Sequence, residues 1–214
     1  MIQRGLQRRA EIAAAEYPLE VEEVSVGDLD LHIAVSRPCL LPPVLAVSSA
    51  QILNEVKDIV VPVARTPFGN ADAPLGDLFV KPYIQQMSVA ELLTAIRTQA
   101  ENSHYYMQSQ DDNLNREFAQ LPESIIPKKL NLPGTKLLGP TEAVNLWIGA
   151  AGTTSRMHSD NYDNIYVQIQ GTKRMWLVPP GEVDCCKEKF LKAATYDLQD
   201  EKFVIKIDEP PSTP

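Results

Sequence analysis

Histidine and cysteine are both scarce in this chain, with three of each in 214 residues. The cysteines are Cys39, Cys185 and Cys186. Their count is odd and no Cys-x-x-Cys spacing occurs. A disulfide framework is therefore not implied, and a zinc ribbon is excluded. No apolar run reaches the roughly 20 residues that cross a bilayer. The start, Met1-Ile2-Gln3-Arg4-Gly5-Leu6-Gln7-Arg8-Arg9, lacks the apolar core of a signal peptide. A soluble, reducing compartment is expected, cytoplasm or nucleus, with no membrane partner. Basic charge is also short: 20 Lys and Arg stand against 28 Asp and Glu, a net charge of −8. Such a surface offers no field for a phosphate backbone, so nucleic acid is not an expected partner. A basic peptide or protein suits it better.

What is present is ordinary globular material, 44% hydrophobic and 22% charged, at a length that suits one domain with an extra layer. Residues 1–17 read as a short helix or a frayed terminus. Residues 19–35 read as short strands or an irregular lead-in, with His32 more often packing than ligand. A short helix is expected over 48–57, with Ser48 as N-cap. Ile59–Ala64 reads as a strand, and Pro62 favours a sheet edge. A turn-rich loop follows over 68–77, then a strand at Phe79–Lys81. Ser88-Val89-Ala90-Glu91 is a capping box. Val89, Leu92, Leu93 and Ile96 behind it fall at helical spacing. Tyr105–Gln110 reads as a strand and 113–121 as a short helix. A proline-rich connector spans 122–140. Alternation then predicts strands at 143–149, 162–170 and 173–178, the last two joined at Gln170-Gly171-Thr172. A helix over 182–192, strands at 196–198 and 203–207, and a proline tail close the chain. Many short strands with few helices predict a mainly β fold, a double-stranded β-helix of jelly-roll or cupin type with flanking helices.

The chemistry concentrates between Ser155 and Lys173. In an extended strand His158 and Asp160 point the same way. An imidazole and a carboxylate on one face form two thirds of the 2-His-1-carboxylate set that holds non-haem Fe(II). Asn164 and Tyr166 share the strand, and Lys173 returns past the turn. An inward lysine needs an anion; the alternative is a surface lysine on a hairpin. A 2-oxo acid meets both demands, chelating the metal at one end and pairing with the lysine at the other. In 143–149, Asn145 and Trp147 on one face suggest a strand that lines a polar pocket.

These stretches are the ones that carry a family likeness. Phe68-Gly69-Asn70-Ala71-Asp72-Ala73, Tyr106-Met107-Gln108-Ser109-Gln110, Ala143–Gly149 and the run from His158 to Lys173 resemble the JmjC family of Fe(II)/2-oxoglutarate-dependent oxygenases. Val178-Pro179-Pro180 and Ala194–Leu198 extend the likeness. The resemblance implies residues 1–100 as a lead-in and support region and 101–214 as a partial cupin core. It implies His158 and Asp160 as iron ligands. Lys173 and Tyr106 would hold the far carboxylate of 2-oxoglutarate. Ser155 stands where the family usually has a threonine hydroxyl, and Asn164, Tyr166 and Trp147 would line the pocket. Fe(II), 2-oxoglutarate and O2 are the implied cofactors. The implied substrate is a lysine-containing protein or peptide, and a homodimer is left open for the complete protein.

One departure is plain. The family's second histidine lies well after the His-x-Asp pair, and no histidine follows His158 here. His32 and His104 lie upstream. The fold is therefore expected to be incomplete at its C-terminus, as in a truncated product, a fragment or a faulty gene model. A non-catalytic jelly-roll binding module is the alternative to an oxygenase.

Overall fold

Ser88 and Glu91 start the best-defined helix. The Ser88 amide and hydroxyl both donate to Glu91 Oε2, at 2.7 and 2.8 Å, and the Glu91 amide donates to Ser88 Oγ at 3.2 Å. This reciprocal bonding satisfies amides that the first helical turn leaves open. Behind it, Val89 and Leu92 are fully buried while Leu93 and Ile96 are half-buried. The spacing and the cap thus form the helix the sequence predicts. The structure, a computed structural model, describes residues 20–43, 45–98, 103–132, 135–186 and 188–209. The helix expected over 1–17 and the tail at 210–214 lie outside the described residues.

The chain divides into two compact units. The larger comprises Ser48–Lys128, Glu142–Asn164 and Phe190–Pro214. In it we number the strands β3 (Val60–Thr66), β4 (Ala73–Leu75), β5 (Leu78–Lys81), β6 (Tyr83–Ser88), β7 (His104–Met107), β8 (Ile148–Gly149), β9 (Lys192–Gln199) and β10 (Lys202–Ile207). Its helices are α2 (Ser49–Val56), α3 (Val89–Thr98) and α4 (Asn113–Arg116). One sheet has the order β6-β3-β7-β8 and is antiparallel throughout. The other has the order β10-β9-β5-β4, with β5 and β9 parallel. The fold is mainly β and cupin-like, and the described strands do not close into a barrel.

Side chains explain most of these elements. Ser48 Oγ accepts the Gln51 amide at 3.4 Å and caps α2. Val61, Val63 and Thr66 are buried on β3. Pro62 was expected at a sheet edge, yet β3 lies second in its sheet. The reason is local: Pro62 pairs with Gln86 of β6, while β7 joins β3 only from Ala64 onward. The proline thus sits where the strand has one neighbour and no second ladder needs its missing N–H. Asp200 and Glu201, at φ 48° and 59°, form the two-residue turn between β9 and β10. Positive φ at both central positions is what a type I′ hairpin requires. Val80, Ala194 and Tyr196 form a buried cluster between strands, with Leu75, Leu78, Tyr83 and Phe203 packed on it. Removing such side chains from water stabilises a fold by about 1.5–3 kcal/mol each.

The smaller unit comprises Met1–Val47, Lys129–Thr141 and Ile165–Lys189. In it β1 (Glu22–Glu23) pairs in parallel with β2 (Cys39–Leu40), and α1 (Leu29–Ala34) packs against a short helical turn at Thr135–Leu138. His32 is buried on α1, the packing role expected for it.

Several strand expectations fail, including those within 19–35, where Leu29–Ala34 is helical. Residues 162–170 and 173–178 carry no strand, and Gln170-Gly171-Thr172 joins no hairpin. Ile165 and Val167 are 36% and 38% exposed, so neither faces a core. Alternation states which face a strand would bury, but a strand exists only when neighbours take its backbone bonds. None of the described ladders includes these residues. The helix expected at 182–192 is a shorter 3₁₀ turn, Pro180–Cys186. Among the described residues no helix is long and apolar enough to cross a membrane.

Candidate functional site

Residues 150–160 form a loop after β8, and three contacts shape it. The Thr154 amide donates to the Gly69 carbonyl at 2.7 Å. Gly69 has φ +70°, and a Cβ there would meet the Gly152 carbonyl at 3.0 Å and the His104 ring at 3.2 Å. The close approach therefore needs glycine. Next, Thr153 Oγ1 donates to the Ala150 carbonyl at 3.0 Å. Last, the Arg156 guanidinium lies over the Phe79 ring of β5, 4.9 Å from its centroid.

This loop carries the His-x-Asp pair. His158 Nδ1 lies 2.7 Å from the Arg156 carbonyl. A carbonyl only accepts, so Nδ1 is the donor in this contact, and in the neutral imidazole Nε2 is then the nitrogen that carries the lone pair. Nε2 stands 3.7 Å from Asp160 Oδ2. The two side chains therefore turn to one side, as the sequence predicts, although the segment is a loop rather than a strand. The gap is less than twice the ~2.1 Å at which imidazole and carboxylate bind a divalent metal. As two donors the pair fits an ion. As a complete set it does not, because no group of three His, Cys, Asp or Glu suited to a metal occurs among the described residues. Both side chains also remain open to water, 39% and 56% exposed.

The other expected residues fall in different places. Tyr106 lies half-buried on β7, opposite Gly149 of β8. A Cβ on Gly149 would come 2.8 Å from Tyr106 Cδ2, so the glycine makes room for the ring. Trp147 donates its indole N–H to the Ser109 carbonyl at 3.1 Å, which ties it to the segment after β7. Ser155 and Asn164 are exposed in the same unit. Tyr166 and Lys173 belong to the smaller unit. Lys173 is half-buried there. Tyr166 is 37% exposed, and its covered part pushes the phenol above its ordinary pKa.

Sequence reasoning missed four contributors. Asn113 is buried and acts as a surrogate strand for 144–146. Its side-chain amide donates to the Leu146 carbonyl at 2.9 Å, and its oxygen accepts the Leu146 amide at 2.7 Å. Asp112 Oδ1 likewise accepts the Val144 amide at 2.7 Å. These side chains replace the ladder expected over 143–147 and set up the approach to β8. Arg156 and Phe79 were missed as well, because neither residue type announces a contact across such a distance in the chain.

The fold and this loop fall within a known class. The family described as "Cupin-like domain" matches residues 38–211, and the chain belongs to it as a JmjC-type member. It is 28% identical over 207 residues to the bifunctional peptidase and (3S)-lysyl hydroxylase JMJD7 of Homo sapiens, covering 90% of this chain and 65% of that protein. It is 28% identical over 199 residues to the lysine-specific demethylase JMJ32 of Arabidopsis thaliana, covering 84% and 56%. The JmjC domain-containing protein E of Dictyostelium discoideum is 29% identical over 178 residues, covering 74% and 50%. The chain thus spans about half to two thirds of the length of these relatives.

Proposed function

We propose that His158 and Asp160 are two ligands of an Fe(II) centre in a 2-oxoglutarate-dependent protein hydroxylase. The observation that carries this reading is the pair itself: His158 Nδ1 is held by the Arg156 carbonyl and Nε2 is turned to a carboxylate 3.7 Å away. It lies inside the segment matched to the cupin-like family. Iron, when bound, supplies O2 activation coupled to the decarboxylation of 2-oxoglutarate to succinate and CO2.

The chain's own groups take simpler roles. The Arg156 carbonyl keeps the His158 proton on Nδ1. Asp160 brings the negative charge that a divalent cation requires. Lys173 pairs with the far carboxylate of 2-oxoglutarate, and the Tyr106 phenol donates to the same group. Ser155 offers a hydroxyl, while Asn164, Tyr166 and Trp147 line the co-substrate's surroundings. The substrate is a lysine-containing protein segment. Support comes from two relatives named for lysyl hydroxylation and lysine demethylation, and from a net charge of −8 that favours basic partners. The three cysteines are free thiols, consistent with a reducing compartment, cytoplasm or nucleus.

A second reading has an observation of its own. With no third donor among the described residues, the same site suits a non-catalytic module that binds a 2-oxo acid. Succinate release from 2-oxoglutarate, with Fe(II), ascorbate and O2, separates the two. A hydroxylase releases succinate, and His158→Ala and Asp160→Ala each abolish the release. Binding of 2-oxoglutarate with no succinate from any variant leaves the binding module.

A further inference from the structure

The His158 loop has no strand ladder to hold it, since residues 153–160 pair with nothing in either sheet. A metal ligand on an unsupported loop wanders, and affinity falls when the groups around a ligand are lost. We propose that Arg156 and Phe79 are positioning residues that fix His158. This inference rests on the iron-site reading above.

The geometry points to one residue doing two jobs. Through its side chain, Arg156 lies on the face of Phe79, 4.9 Å from the ring centroid. Through its backbone carbonyl, Arg156 accepts a hydrogen bond from His158 Nδ1 at 2.7 Å. The ring is a rigid platform because β5 has a neighbour on each side: Phe79 pairs with Pro74 of β4 and with Ala193 of β9. A cation over an aromatic face is attracted by the ring's quadrupole, and a planar guanidinium also stacks. Pinning the guanidinium pins the peptide that carries the accepting carbonyl. That carbonyl in turn fixes both the tautomer and the direction of the imidazole. The loop's other tie, Thr154 to Gly69, lies on the opposite side of Arg156 from His158 and does not constrain the ring. Arg156 is therefore the last fixed point before the ligand.

The test uses the full chain and Co(II) alone as probe, read by ligand-field absorbance. Hydrogen exchange of the amides at 154–160 is followed without metal. The variants are His158→Ala, Arg156→Ala, Arg156→Lys and Phe79→Leu. The expected result is Co(II) binding about three- to ten-fold weaker in Arg156→Ala and Phe79→Leu. Exchange should be faster at 154–160 in both, with unchanged exchange in β3 and β9. Arg156→Lys, which keeps a cation over the ring, should recover most of the affinity. Wild-type affinity and exchange in Arg156→Ala and Phe79→Leu, alongside lost binding in His158→Ala, would overturn this inference alone. Equal Co(II) binding in wild type and His158→Ala would overturn the iron-site reading and this inference with it.

Discussion

A single amide can take the place of a strand. Asn113 bonds both the amide and the carbonyl of Leu146, 33 residues away, and its backbone N–H donates to Asn145 Oδ1 at 3.2 Å. Leaving a buried donor or acceptor without a partner costs about 1–3 kcal/mol per group. Asn113→Ala orphans two such groups, and we expect a loss of about 2–4 kcal/mol in urea unfolding. A loss under about 1 kcal/mol would show that the segment relaxes onto water instead. Gly149 makes a similar demand. Gly149→Ala puts a methyl against the Tyr106 ring, which must turn away. The expected outcome is about 1–3 kcal/mol of destabilisation and weaker 2-oxoglutarate binding by calorimetry. Unchanged binding would separate Tyr106 from the co-substrate. Neither residue is visible in the sequence, because a buried asparagine and a buried glycine are defined by what reaches them from elsewhere. His158 and Asp160 were legible, since two residues apart their relation is set by the local backbone.

At the scale of elements, what was legible is what is closed locally. The capping box at Ser88 and Glu91 needs four residues and forms as written. The alternating segments at 162–170 and 173–178 need partners, and so their pattern did not decide their structure. The hairpin β9–β10 shows how such partners act. Asp197 takes bonds from Lys206 and Gln199, and Asp208 takes them from Lys81 at 2.8 Å and Thr195 at 2.7 Å. These bonds hold both carboxyls below their ordinary pKa. A carboxyl lowered in the folded state adds stability that is fully present above its unfolded pKa. That stability is lost as pH falls through the folded value. Stability should therefore decline below about pH 4. Asp208→Asn should flatten that decline, as measured by urea midpoints between neutral and acid pH. The same acid slope in Asp208→Asn as in wild type would assign the loss to other carboxyls. Ser88→Ala tests the cap separately, with an expected cost of about 1 kcal/mol.

For the whole molecule, the family relation and the described strands make different demands on the segment Ile165–Val178. Its sequence is that of a β-hairpin, and its apolar side chains are open: Trp176 is 72% exposed, Leu177 57% and Met175 48%. An exposed apolar segment that lies outside the described sheets tends to recruit another strand. Mass action then sets the outcome, because a second copy becomes an available partner as concentration rises. We expect this chain to self-associate with increasing concentration in sedimentation velocity. Trp176→Lys should shift it toward monomer, because a charge on a pairing segment opposes association. Its thermal midpoint should hold, since an exposed indole adds little to the core. If Trp176→Lys instead lowered the thermal midpoint, the indole would be packed in solution, and association would have to be sought on another surface.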